Sequence, residues 1–160
     1  MADMTSDEKR LLKRRMKSAA RLYAVQALFQ MEAMGQGVDR VRAEFEDHRF
    51  GMEIEEGTLS EGDTGTFRKV LDGAVDHQAK IDQMTDRALV ARWPLGRIDP
   101  TLRAVFRAAG AELVAAETPP KVVITEYVEV ARAFFPEGKE AGFVNGVLDH
   151  MAHEARPDGF

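Results

Sequence analysis

Apolar residues along this chain recur at three- and four-residue spacing and almost never alternate, a period that predicts helices and argues against half-buried strands. The clearest instance is KVVITEYVEVARAFF, where Val123, Ile124, Tyr127, Val130, Ala131 and Phe134 fall on one stripe at about 100° per residue. Thr125, Glu129 and Arg132 point away from that stripe, as they would on a helix lying against a core. Val144, Val147, Leu148 and Met151 repeat the pattern near the end of the chain. Seven helices are predicted, near 8–34, 38–47, 65–79, 81–91, 100–117, 120–135 and 141–155, the third and fourth separated weakly if at all. Gly35 and Gly37 stop the first, and WPLGRIDP breaks the chain before the fifth. Pro100 and Pro120 suit first helical turns, where a missing N–H is harmless. Between the second and third helices HRFGMEIEEGTLSEGDTG reads as an acidic, Gly-rich loop, with eight acids and one Arg between Glu44 and Asp63. The fold class is therefore all-α, and the short connections favour antiparallel neighbours.

Charge changes this picture at one place. The chain of 160 residues carries a net charge of -5, yet Lys9 to Arg21 holds seven cations and no acid. On a helix Arg10, Arg14, Lys17 and Arg21 recur at i, i+4, i+7 and i+11, with Lys13 beside them and Arg15 elsewhere. Beyond Arg21 the same stripe carries Ala24, Leu28 and Met31, so the second half of the helix is expected to be buried and the first half to present a cationic ridge. Like charges at this spacing repel and weaken an isolated helix. A solvated face is one account of such a run, and a polyanion partner that offsets the repulsion is the other. Phosphate contacts would supply affinity and position. Choice of sequence on single-stranded RNA needs aromatic stacking and amide hydrogen bonds as well. FVNGVLDH, opening the last helix, offers Phe143 at the edge of the apolar stripe and Asn145 well off it. That pair suits base contact and equally suits a core edge with a local backbone hydrogen bond. Gly142 and Gly146, four residues apart, are read as a place where another helix packs closely.

Other chemistry is thin. With no cysteine, a disulfide scaffold, a thiolate zinc site and a cysteine nucleophile are excluded. His150 and His153 have the spacing of a metal pair but no third ligand is evident, so neither a metal site nor a cofactor is expected. Glu126 and Glu129 read as exposed helix carboxylates rather than an acid–base pair. No phosphate-cradling Gly loop or nucleophile elbow occurs. The N-terminus MADMTSDEKR lacks the apolar run of a secretory signal, and no segment has the apolar length to cross a bilayer.

Three blocks resemble a known family. KSAARLYAVQALF resembles the opening helix of the NusB family, WPLGRIDPTLRAVFRAAGAEL its central block, and PPKVVITEYVEVARAFFPEGKEAGFVNGVLD its closing pattern. Together they cover about half of the chain, in the family's order. The resemblance implies a single domain over 1–160 with helical subdomains about 8–80 and 81–156 and the acidic loop about 48–64. It implies a cytoplasmic, non-enzymatic antitermination factor that needs no cofactor. Such a factor would bind the boxA element of ribosomal RNA leader transcripts together with NusE, a small-subunit ribosomal protein, and join elongating RNA polymerase with other Nus factors. By position the family's RNA-binding role falls on Lys17, Arg21, Phe143 and Asn145, and by charge on Lys13, Arg14 and Arg15 of the same arm. Phe29 belongs to this set although the family usually has Tyr there, so a hydroxyl contact is lost. Thr125 stands for a usual Asn and Phe135 for a usual Gly, and the loop before Phe143 is one residue longer than the pattern. A similar domain also precedes the catalytic part of some ribosomal RNA cytosine methyltransferases, which is the rival reading. A purely structural homodimer is a third.

Overall fold

The computed structural model describes residues 4–49, 63–89 and 98–160. Most of the acidic stretch and the Trp93–Gly96 break therefore lie outside the described residues. Among the described residues all regular structure is helical: α1 (Ser6–Met34), α2 (Val38–Glu44), α3 (Thr64–Asp76), α4 (Gln78–Leu89), α5 (Pro100–Ala115), α6 (Pro120–Phe134) and α7 (Glu140–Ala155). A π-helical turn, Phe45–Arg49, extends α2, and a 3₁₀ turn, Pro157–Gly159, follows α7.

The ends of these helices follow from local chemistry. Thr5 caps α1 by accepting from the Glu8 amide at 3.1 Å, and Gly35 closes it in the left-handed region at φ 65°, where a side chain would be strained. Asp63 caps α3 and Asp99 caps α5, each carboxylate accepting a backbone N–H within the first turn. The break between α3 and α4 falls on His77, with neither Gly nor Pro to announce it.

The apolar stripes meet around α5. Its buried face is Ala104, Val105, Phe106, Ala108, Ala109, Gly110, Ala111 and Leu113, small enough to let α1, α3, α4, α6 and α7 all pack against it. Gly110 marks the tightest approach: a Cβ there would lie 2.4 Å from Ile81 Cγ2 of α4. One buried cluster runs from Ala20 in α1 to Ala152 in α7, across the boundary expected near residue 80. The stripes of α6 and α7 face this cluster as their spacing requires, Phe134 being half-buried and the rest buried. Ion pairs fix the far end of α1: Arg103 and Arg107 of α5 both reach Glu32, and Arg107 also holds Asp82 of α4 at 2.9 Å. The Arg103 hydrogen bond chiefly, against the opposing effect of burial, holds the Glu32 carboxyl below its ordinary pKa.

Candidate nucleic-acid interface

The first turns of α1 stand out from the body. Lys9, Arg10, Lys13, Arg14 and Arg15 are exposed and Lys17 is half-buried. Arg10 pairs with Asp7 at 3.0 Å, a surface contact of little energetic weight. Lys13, Arg14 and Lys17 have no ion pair or hydrogen bond among the described residues. The cationic ridge expected from the sequence thus exists over residues 9–17.

Arg21 does not belong to it. Expected as the last phosphate reader of the stripe, it is only 6% exposed. Its Nε donates to Glu112 Oε2 at 2.8 Å and its Nη2 to Oε1 at 3.0 Å, a two-pronged pairing with α5. Its Nη1 donates to Glu126 Oε1 of α6 at 2.7 Å, and the Ser18 hydroxyl donates to the same oxygen at 2.7 Å. Tyr127 donates its hydroxyl to Glu112 Oε2 at 2.5 Å, and Thr118 donates to Oε1 at 3.2 Å. Burial disfavours the Arg21 charge, but the Glu112 hydrogen bonds and the charges of Glu112 and Glu126 outweigh it and raise the guanidinium pKa. Burial, and then the Glu112 carboxylate, push the Tyr127 hydroxyl well above its ordinary range, so it stays a donor. The physical reason for the correction is cover: at Arg21 the guanidinium lies between α5 and α6, where an unpaired charge would be untenable. Glu126, expected to be exposed, is correspondingly half-buried in this clamp. Sequence reasoning missed Glu112, Tyr127, Ser18 and Thr118 as a set. The available signal was Glu112 itself, an acid in the Ala-rich run AAGAELVAA that an apolar face cannot hold unpaired.

Two recesses flank α1. A polar cleft of about 180 Å³ lies between α1, α3 and the end of α5, lined by Lys17, Arg21, Thr66, Lys69, Glu112 and Glu117 among others. An open, mainly apolar groove of about 390 Å³ lies at the other end, lined by Val25, Phe29, Met34, Phe45 and Phe134 among others. Phe29 is 39% exposed at this groove. It lies sixteen residues, or about 24 Å of helix, from Lys13.

Phe143 and Asn145 line neither recess. Phe143 is half-buried and meets Phe106 edge-on, with ring centroids 6.1 Å apart and planes at 64°. Asn145, two residues further on α7, is exposed. Gly142 and Gly146 overturn the packing expectation: a Cβ at either would meet nothing within 4 Å, because this side of α7 faces away from every other helix described. His153 is engaged locally, its Nδ1 lying 2.9 Å from the Asp149 carbonyl oxygen and its ring stacked on Phe160 at 3.8 Å. Among the described residues no three His, Asp or Glu side chains are grouped to hold a metal ion, and no helix is long and apolar enough to cross a membrane.

An all-helical body with an exposed cationic ridge and a buried Arg–Glu clamp defines the class, and comparison with known proteins supplies the family. The model of the NusB family matches residues 18–153, and the chain belongs to that family. The transcription antitermination protein NusB of Caulobacter vibrioides is 50% identical over 141 residues, 88% of this chain and 94% of that protein. A structure of T. maritima NusB is similar at a TM-score of 0.69 and 28% identity, covering 86% of this chain and 91% of its own. A NusB chain solved with NusE and double-stranded RNA has the same fold, with a TM-score of 0.69 at 24% identity over 88% of this chain and 98% of that one. The family match starts at Ser18, so the ridge over 9–17 precedes it, whereas Arg21, Phe29, Phe143 and Asn145 fall within it.

Proposed function

We propose that this chain is an RNA-binding antitermination factor. It binds the boxA element of ribosomal RNA leader transcripts, does so jointly with NusE, and acts in the cytoplasm on RNA polymerase elongation complexes that carry other Nus factors. The observation that carries this reading is the ridge of Lys13, Arg14 and Lys17 on α1, three cations without a counter-ion among the described residues on an otherwise acidic protein of the NusB family. Such a ridge gains most from a phosphate backbone, because each contact releases condensed counterions. Arg15 adds charge on another face of the same arm. Phe29, Phe143 and Asn145 supply the aromatic faces and the amide from which base preference is built, at sites offset from the ridge along the same body. Arg21 contributes by fixing the helix that bears the ridge, not by touching phosphate. The matched relatives support antitermination over the methyltransferase reading: C. vibrioides NusB is named a transcription antitermination protein and is matched over 94% of its length.

The test is titration of a boxA RNA and a scrambled control of equal length, each with and without NusE. Preferential binding to boxA, tightened by NusE through the joint surface, is the expected result. Equal affinity for both RNAs under both conditions would refute the reading.

A further inference from the structure

The ridge ends in the polar cleft, and an ion pair joins two residues of its lining. Lys17 is at once the last member of the ridge and a wall of the cleft. Opposite it stands α3, docked onto α1 by a hydrogen bond from the Asp63 amide to the Met16 carbonyl at 3.0 Å. That docking sets Thr66 and Lys69 along the second wall. Lys69 Nζ donates to Glu117 Oε2 at 3.2 Å, in the turn between α5 and α6. Both side chains are about two-thirds exposed, at 70% and 64%. The floor carboxylate, Glu112, is already saturated by Arg21, Tyr127 and Thr118. Three cations of the lining, Lys17, Arg21 and Lys69, are matched by Glu112 and Glu117 of the lining and by Glu126, which Arg21 holds, so in the free protein the charges cancel.

We propose that this cleft is a phosphate subsite for RNA, and that Glu117 holds in the free protein the place on Lys69 that a backbone phosphate takes in the complex. The inference rests on the RNA-binding reading above and extends the phosphate track from α1 onto α3. An exposed Lys–Glu pair with one hydrogen bond is worth at most about 1 kcal/mol, so it opens readily. When Glu117 swings out, Lys17 and Lys69 face a phosphate from two walls, with the Thr66 hydroxyl between them and no acid left unpaired at the floor. Glu117 then acts as a built-in competitor: it lowers RNA affinity in general and makes the chain less adhesive to arbitrary polyanions.

The experiment compares the full chain with E117Q, K69Q and the double variant, and with K13Q/R14Q as a control on the ridge. Each is titrated with boxA RNA across a salt series, with thermal melting to confirm the fold. E117Q is expected to bind about fivefold more tightly at 0.1 M salt with the salt slope unchanged, because Lys69 meets the same phosphate in both complexes and only the competing carboxylate is gone. K69Q is expected to flatten the slope by about 0.7, the decrement for one phosphate lost on a single strand, and the double variant to lose the gain in affinity. If the ridge control weakens binding while E117Q and K69Q match the parent chain, the cleft proposal falls and the RNA reading stands. If the parent chain binds no RNA, both fall. Inorganic phosphate is the separate arm: shifts of the Thr66 and Lys69 amide signals that saturate at low millimolar phosphate, with RNA affinity unmoved by either variant, would mean a free-anion site and overturn the assignment to RNA.

Discussion

Arg14 and Arg21 are the same residue type, seven positions apart on one stripe of one helix, and they stand in opposite surroundings. Arg14 is exposed and has no ion-pair partner among the described residues. Arg21 is buried, with two carboxylates and the whole of its guanidinium engaged. Where α5 ends and α6 begins decides between them. Glu112 and Glu126 reach Arg21, but α5 stops at Ala115, at the level of Lys17 on the wall of the same cleft. N-terminal to that level α1 runs on without α5 beside it, so charge there is available to a partner. Helical periodicity assigns a side chain to a face, and the lengths of the neighbouring helices decide what that face meets.

The sharpest test of this contrast is to remove each arginine in turn. Arg21→Ala leaves Glu112 and Glu126 partly buried without their cation and is expected to cost about 3–5 kcal/mol in urea unfolding. Arg14→Ala is expected to stay within about 0.5 kcal/mol of the parent chain. A loss below about 1 kcal/mol for Arg21→Ala would show that the clamp is not what holds α1 to α5 and α6. The converse comparison is functional. Replacing Lys13, Arg14 and Lys17 together by Gln is expected to weaken RNA binding about a hundredfold at 0.1 M salt and to flatten the salt slope by about 2, three phosphates' worth, with melting hardly changed. An unchanged slope in a folded triple variant would return the ridge to a merely solvated face.

The helices were legible because their boundaries rest on local chemistry: Gly35 at a left-handed cap, Pro100 and Pro120 in first turns, and apolar stripes of constant period on α6 and α7. The break at His77 was only weakly legible, because no Gly or Pro marks it and the stripes on either side nearly join. The ridge was legible as charge, but its last member was misassigned, since the partners of Arg21 lie 91 and 105 residues away in sequence. No spacing rule connects such positions. Glu112 announced that some cation must come, without saying which. Gly142 and Gly146 were misread for a related reason: a small residue signals that something approaches closely, but here nothing in the described chain does.

Phe143 puts the same contrast at smaller scale, since one ring edge packs on Phe106 while part of the ring stays open. Phe143→Ala is expected to lower the preference for boxA over scrambled RNA about tenfold, within the range for losing one base–aromatic stack. The salt slope should not move, because no phosphate contact is lost. Loss of the packed edge also lowers melting, so discrimination must be read on protein shown to be folded. A lowered melting temperature with discrimination intact would assign the ring to the core alone.

The smallest effect has the opposite sign. Gly146 lies within α7, and a methyl group there would meet open space. Glycine in a helix interior is less favourable than Ala by about 1 kcal/mol, through the freedom it retains in the unfolded chain. Gly146→Ala is therefore expected to stabilise the free protein by about 0.5–1 kcal/mol, read as a higher urea midpoint at unchanged slope. The outcome separates two accounts of the residue. If the variant is less stable, a contact the Cβ cannot tolerate exists within the chain and the packing account returns. If it is more stable and binds boxA RNA and NusE as before, the glycine serves neither fold nor partner. If it is more stable but binds either one more weakly, the bare backbone of α7 beside Asn145 is where that partner comes close.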